Sequence, residues 1–144
     1  MSSLKHPIKP TILVVDDEAN IRKLVAVNLS SRGYEVLEAS SGAQAISLLD
    51  KQAPGLMILD IKLPDLTGWE LLKQIMENPQ INSDFPVLIM TASIMDARFD
   101  VAKFPRVAKI LIKPFSMSAF ISAVERILQQ NNGAEGKNGP SARR

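Results

Sequence analysis

The sequence predicts a doubly wound α/β domain in which a five-stranded parallel sheet carries helices on both faces. Two patterns lead to this fold class. Five short runs rich in Val, Ile and Leu recur along the chain, and longer segments with helical apolar spacing separate them. Strands buried on both faces are nearly continuous in apolar character, and alternation with helices implies parallel strands joined by right-handed crossovers.

The predicted strands are short and lie at regular intervals. They are Thr11–Val15, Tyr34–Ala39, Leu56–Leu59, Pro86–Met90 and Ala108–Ile112. The helical segments between and after them carry apolar stripes and recognisable end signals. These segments are residues 21–29 before Gly33, residues 45–49 after a capping box at Ser41 and Gln44, residues 70–77 after a capping box at Thr67 and Glu70, residues 95–103 with the weakest pattern, and residues 116–130.

The bulk composition is that of a single globular domain. The chain has 144 residues, of which 46% are hydrophobic and 22% charged, and it contains no cysteine, which excludes disulfides and zinc–thiolate sites. Apolar runs fall well short of the ~20 residues that a membrane helix needs, and residues 1–10 lack the apolar stretch of a secretory signal. We therefore expect a cytoplasmic protein with a leader over 1–10, a domain over 11–130 and a disordered polar tail over 131–144.

The net charge of +2 gives no argument for nucleic acid, because the basic excess lies in the tail from Gly133 onward. A local basic bias exists between Arg98 and Lys113, where Asp100 is the one acid. The pattern does not mark any aromatic residue there as ready to stack on bases, so a solvated face is the preferred interpretation.

Chemically active residue types follow the ends of four predicted strands. Asp16 and Asp17 come after the first strand, Asp60 after the third, Thr91 after the fourth and Lys113 after the fifth. The carboxyl ends of parallel strands meet at one edge of a sheet, where doubly wound proteins place their binding sites. We therefore expect three carboxylates, a hydroxyl and an ammonium to share one site.

Such a group of side chains suits phosphoryl chemistry. Clustered carboxylates repel one another and need a cation, and oxygen-only ligands favour Mg²⁺. A carboxylate can itself act as the nucleophile and form an aspartyl phosphate. Asp60 is the candidate nucleophile because it ends the central strand, whereas Lys113 and Thr91 are placed to contact the arriving phosphoryl oxygens.

A simpler interpretation exists for each residue taken alone. An Asp pair after a strand is often a helix N-cap, and a Thr or Lys at a strand end is ordinary loop chemistry. Coincidence at four separate strand ends is harder to explain by capping. His6 lies in the leader and is not expected to be a ligand or phosphodonor, and Trp69 is expected to pack in a helix.

Four segments together resemble the receiver domain of bacterial two-component response regulators, over roughly residues 11–130. They are ILVVDDEANIRKLV, LMILDIKLPDLTGWELL, LIMTAS and ILIKPF. The resemblance implies a flavodoxin-like fold with a cis Lys113–Pro114 bond and phosphorylation of Asp60 by a histidine kinase or phosphotransfer protein. It also implies Mg²⁺ held by Asp17, Asp60 and the backbone carbonyl of Lys62, and through water by Asp16.

The chain departs from the family pattern at the positions that transmit the signal. Ile110 stands where most members carry a Tyr or Phe that swings inward on activation, and Pro105 and Arg106 replace a Gly-Ala turn. Thr67 replaces an acid in the loop after Asp60, which is a small change. Without the aromatic residue, we expect transmission through residues 92–97 and the helical segment that follows.

Two other functions remain open at this point. A haloacid-dehalogenase-like phosphatase also forms an aspartyl phosphate, but it needs an Asp-x-Asp motif where this chain has Asp16 and Glu18. A pseudo-receiver, which binds a partner without phosphorylation, is kept open by Ile110. The residues after Gln130 are too few for a DNA-binding module, so we expect a single-domain, non-enzymatic regulator. Its downstream partner is an unknown protein, and no nucleic acid or membrane is expected.

Overall fold

A computed structural model of the chain describes residues 9–93, 95 and 101–137, with residues 132–137 as backbone only. Within these residues, five strands form one sheet in the order β2-β1-β3-β4-β5, and every neighbouring pair is parallel. The strands are β1 (Thr11–Val15), β2 (Glu35–Ala39), β3 (Leu56–Asp60), β4 (Val87–Thr91) and β5 (Val107–Ile112). The predicted fold class is confirmed.

Alternate strand residues point to opposite sides of the sheet, and helices cover both of these faces. The helices are α1 (Ala19–Ser30), α2 (Gly42–Leu49), α3 (Gly68–Glu77) and α4 (Met117–Lys137), and a short 3-10 turn (Val101–Lys103) precedes β5. One core cluster joins Leu13, Met57 and Ile89 to α2 and α3. The other joins Ile12 and Ile58 to α1 and α4.

The predicted end signals of α1 and α3 form in the structure, whereas that of α2 forms only in part. Gly33 has φ 94° just beyond α1, as its predicted role in ending that helix requires. The capping box of Thr67 and Glu70 forms at α3. At α2, Ser41 caps the helix by accepting from the Gln44 N–H, but the Gln44 side chain accepts from Ser40 instead of the Ser41 N–H. The predicted box at α2 is therefore only half formed.

Element boundaries differ from the sequence-based ones by one residue at several strand ends and by more at the C-terminus. Helix α4 continues to Lys137 instead of ending near Gln130. The loss of apolar periodicity after Gln130 marks the end of helix packing, but it does not stop backbone hydrogen bonding. A proline would interrupt the helix, and the first one after Gln130 is Pro140. Residues 138–144 of the predicted disordered tail lie outside the described residues.

Most of the predicted helix over residues 95–103 also lies outside the described residues, which here include only Met95 and the turn from Val101. In the described part of the chain, none of the helices combines the length and hydrophobicity needed to cross a membrane.

Candidate functional site

The parallel strands bring the predicted site residues to one edge of the sheet. Asp16 directly follows β1, Asp60 and Thr91 are the last residues of β3 and β4, and Lys113 directly follows β5. Carboxylate oxygens of Asp16, Asp17 and Asp60 all lie within 4.8 Å of one another. The expectation that these carboxylates converge is confirmed.

The Lys113 ammonium pairs with two carboxylates of this cluster and with Glu18. Its Nζ donates to Asp60 Oδ2 at 2.8 Å, to Asp16 Oδ2 at 3.1 Å and to Glu18 Oε1 at 2.9 Å. Glu18 is a partner that the sequence analysis did not assign to the site. Three carboxylates therefore share one cation among the described residues, which leaves an excess of negative charge.

Burial makes that excess costly. Asp16 is fully buried, Asp60 nearly so, and Asp17 is exposed. Burial raises the pKa of Asp16, although a hydrogen bond from the Glu18 N–H and the charge of Lys113 partly oppose the shift. Burial also acts to lower the pKa of Lys113, but hydrogen bonds to Asp60 and Glu18 outweigh it and raise that pKa above its ordinary value. The lysine is therefore a permanent cation in this site.

Backbone groups orient the remaining polar atoms. The Lys62 N–H donates to Asp60 Oδ1 at 3.1 Å, so each oxygen of this carboxylate has a partner. Thr91 is buried, and its hydroxyl accepts from the Ser93 N–H at 3.2 Å. The Lys113 N–H donates to the Thr91 carbonyl at 2.7 Å, which ties the end of β5 to β4. The Lys113–Pro114 bond is cis, as expected.

The capping interpretation of the aspartate pair is wrong. Glu18 holds the N-cap position of α1, and its side chain makes no capping hydrogen bond there. Asp16 Oδ1 instead accepts from the Glu18 N–H at 2.9 Å, in a turn that faces Lys113. The Asp16 backbone has a further anchor: its carbonyl accepts from Arg22 Nη1 at 2.8 Å, and Arg22 also pairs with Glu38. Nothing in the local sequence pattern distinguishes Arg22 from an ordinary surface residue of α1.

The donor set fits a hard divalent cation. All three clustered ligands are carboxylates, one of them is exposed, and the cluster carries more negative charge than Lys113 neutralises. Mg²⁺ prefers oxygen ligands and keeps part of its water shell, which an exposed Asp17 permits. The Lys62 backbone lies beside Asp60, and its carbonyl remains a predicted ligand.

A family model described as "Response regulator receiver domain" matches residues 12–125. The chain belongs to this family. Receiver domains serve two-component signal transduction, in which a histidine kinase phosphorylates an aspartate of the regulator. The match extends over the whole sheet, so the phosphatase interpretation has no support.

Individual relatives agree with this assignment. The chain is 36% identical over 122 residues to the alkaline phosphatase synthesis transcriptional regulatory protein PhoP of Bacillus subtilis, covering 83% of this chain and 49% of PhoP. The non-phosphorylated HemR receiver domain from Leptospira biflexa has a TM-score of 0.72 at 28% identity, covering 83% and 94% of the two chains. Response regulator TrrA from Thermotoga maritima, solved with Mg²⁺ and BeF, has a TM-score of 0.70 at 29% identity, covering 83% and 99%.

This receiver domain spans about half the length of the curated relatives it matches. Its single-domain status therefore stays a prediction. Ile110, the main departure from the family pattern, is partly buried and packs against the core cluster on the α2–α3 side of the sheet. Residues 94 and 96–100, which belong to the expected route of transmission, lie outside the described residues.

Proposed function

We propose that this receiver domain accepts one phosphoryl group on Asp60 from a phosphohistidine of a histidine kinase or a phosphotransfer protein. In this transfer, a bond forms between phosphorus and an Asp60 carboxylate oxygen while the bond from phosphorus to the histidine nitrogen breaks. The observation that carries the proposal is the convergence of Lys113, Asp16 and Asp17 on the Asp60 carboxylate.

The residues around Asp60 have distinct roles in the transfer. The Lys62 N–H and the Lys113 ammonium hold the two oxygens of the nucleophile in fixed directions before the phosphodonor arrives. Lys113 then follows the developing charge onto the phosphoryl oxygens, since it is a permanent cation. Thr91, at the end of the adjacent strand, donates a hydrogen bond from its hydroxyl to one of these oxygens.

Magnesium would be held by Asp17, Asp60 and the Lys62 carbonyl, with Asp16 acting through water. When bound, the ion supplies the positive charge that three carboxylates and an incoming phosphoryl group require. Asp17 is exposed and gives the ion access from solvent.

A groove beside the site supports protein contact as the route of phosphorylation. It has a volume of about 410 Å³ and lies between α1 and the start of α4, with Ile21, Leu24, Phe115 and Met117 among its lining residues next to Lys113. Leu24 is 52% exposed and adds an apolar surface to this groove. An apolar face of the phosphodonor protein would cover this groove and bring its histidine to Asp60.

The phosphorylated chain is proposed to pass its signal on by contact with a further protein in the cytoplasm. It acts as a phosphoacceptor and not as an enzyme on other substrates. The curated relatives are described as transcriptional regulators, and the part of them outside the match is where we place any DNA binding. We propose neither a nucleic-acid contact nor a membrane contact for the receiver domain itself.

Incubation with acetyl phosphate and Mg²⁺, followed by intact mass spectrometry, tests this function. The expected result is that each chain gains the mass of one phosphoryl group. Removal of Mg²⁺ by a chelator should suppress this gain. An unchanged mass under conditions that phosphorylate a control receiver domain would contradict the proposal.

A phosphate-independent binding module is the second candidate, and Ile110 is the observation that favours it. This β-branched side chain is stiff about its first torsion and already packs against the core, so it cannot repeat the movement of an aromatic switch. Under this alternative, a partner would bind the unmodified chain and the Asp60→Asn variant equally well.

A further inference from the structure

The loop after β3, the strand that ends in Asp60, is hydrogen-bonded to α2, which lies much earlier in the sequence. Asp65 Oδ1 accepts from the Gly42 N–H at 2.9 Å, and Asp65 Oδ2 accepts from the Ala43 N–H at 2.9 Å. The two bonds span 23 and 22 residues of sequence. One carboxylate thus fastens the loop between β3 and α3 to the first turn of α2.

These contacts complete the N-terminus of α2. Ser41 caps the Gln44 N–H at 3.1 Å, so Asp65 supplies the acceptors for the two remaining free N–H groups of the first turn. Hydrogen bonding from the Gly42 N–H is the main cause of the lowered pKa of Asp65, and together with the bond from the Ala43 N–H it outweighs the opposing effect of desolvation. Asp65 is therefore ionised when it holds the helix.

Apolar packing reinforces the same tie. A Cβ added to Gly42 would clash with Leu66 Cδ2, so the Leu66 side chain packs directly against this glycine. Gly42 and Ala43 therefore receive the tip of the loop, and Asp65 and Leu66 are the loop residues that contact them.

The other end of the loop reaches the nucleophile. Lys62 forms an antiparallel bridge with Thr67, and the Gly68 N–H donates to the Ile61 carbonyl. The Lys62 N–H in turn donates to Asp60 Oδ1 at 3.1 Å. The loop is closed at its base, anchored at its tip by Asp65, and in contact with the Asp60 carboxylate through the Ile61–Lys62 peptide at that base.

We propose that Asp65 is a positioning residue for phosphorylation, because it fixes the loop whose Lys62 N–H orients the Asp60 carboxylate. This inference rests on the proposed function of Asp60. Loss of the Asp65 carboxylate frees the tip of the loop and lets the Lys62 peptide move relative to Asp60. Displacements below 1 Å at a reacting group change rates strongly, so we expect phosphorylation to slow by about three- to tenfold.

The test compares Asp65→Ala, Asp65→Asn and the control Asp50→Ala with the unmodified chain. Asparagine retains one acceptor oxygen and therefore one of the two bonds. Asp50 is an exposed acid at the opposite end of α2, away from the loop. The rate of mass gain with acetyl phosphate and saturating Mg²⁺ is measured well below the melting temperature of every variant, and amide hydrogen exchange at Lys62 is followed in parallel.

The unmodified chain and Asp50→Ala should be phosphorylated at the same rate, Asp65→Asn more slowly, and Asp65→Ala most slowly. Amide hydrogen exchange at Lys62 should become faster as the phosphorylation rate falls. A folded Asp65→Ala variant with the rate of the unmodified chain would overturn the inference and leave Asp65 as a helix anchor alone. If Asp65→Ala does not fold, Asp65→Asn decides by the same criterion. Failure of the unmodified chain to gain mass would instead contradict the function of Asp60.

Discussion

Lys113 Nζ lies 2.8 Å from Asp60 Oδ2, although 53 residues separate them in the sequence. Lys113 follows β5 and Asp60 ends β3, so the ammonium reaches past the end of the intervening strand β4. The same Nζ also contacts Asp16 and Glu18. The proposed nucleophile is therefore held by a cation that three carboxylates share, and the chemistry at this edge of the sheet depends on the balance of charge there.

Replacement of Lys113 by alanine should slow phosphorylation roughly 10- to 100-fold, since it removes the cation that stabilises charge on the transferred group. The rate of mass gain with acetyl phosphate measures this effect. Lys109→Ala is the matched control, because Lys109 is an exposed lysine of β5 that lies before the site. Equal rates for Lys113→Ala and Lys109→Ala would contradict the assigned role.

Asp16→Asn should raise the melting temperature of the protein in Mg²⁺-free buffer at neutral pH. Burial raises the pKa of Asp16 above its ordinary value, so the protonated form is the one that folding favours. The stability linked to that proton is present at low pH and is lost as the pH rises through the folded-state pKa. The advantage of the variant should accordingly grow as the pH rises from about 4.

Thermal denaturation at several pH values checks this prediction. Addition of Mg²⁺ should reduce the difference between the two proteins, because the ion stabilises the ionised carboxylates of the unmodified chain. A variant less stable than the unmodified chain at neutral pH without Mg²⁺ would show that Asp16 contributes to folding in its charged form.

Magnesium itself should stabilise the folded protein. A ligand that binds only the native state at 100 times its Kd contributes about 2.7 kcal/mol, which corresponds to several degrees of melting temperature for a domain of this size. Asp17→Asn should lose most of this increase and change the metal-free melting temperature little, because Asp17 is exposed. An equal Mg²⁺-induced increase in both proteins would place the ion elsewhere.

Lys62→Ala should shorten the lifetime of the aspartyl phosphate. The Lys62 side chain is exposed and begins two residues beyond Asp60, where a long chain can obstruct an in-line water. Its backbone N–H to Asp60 is retained in the alanine variant, so the phosphorylation rate should change much less. Loss of the phosphoryl mass after removal of acetyl phosphate measures the lifetime, and an unchanged rate of loss would exclude this role for Lys62.

The sheet and its reactive edge were predictable because each depends on short-range sequence patterns combined with a rule of topology. Buried parallel strands are continuously apolar, and residues at their carboxyl ends converge whatever the intervening helices contain. This reasoning places five residues at one edge of the sheet, namely Asp16, Asp17, Asp60, Thr91 and Lys113.

The residues that orient the site were not predictable by the same reasoning. Glu18 and Asp65 act through side-chain contacts with distant parts of the chain, and Arg22 contacts the nearby Asp16 carbonyl. Each of the three is an ordinary polar residue in its own segment. The C-terminal end of α4 was missed for a different reason, since periodicity reports packing and not backbone hydrogen bonding. Asp65 illustrates the limit most clearly, because its partners are backbone N–H groups, which carry no sequence signal.

The position of the phosphoryl group is the most direct test of the central claim. After treatment with acetyl phosphate and Mg²⁺, borohydride reduction converts an aspartyl phosphate to homoserine, and peptide sequencing by tandem mass spectrometry locates the converted residue. The account predicts homoserine at position 60 alone, and no conversion in Asp60→Asn. Homoserine at position 16 or 17, or undiminished phosphorylation of the Asp60→Asn variant, would contradict it.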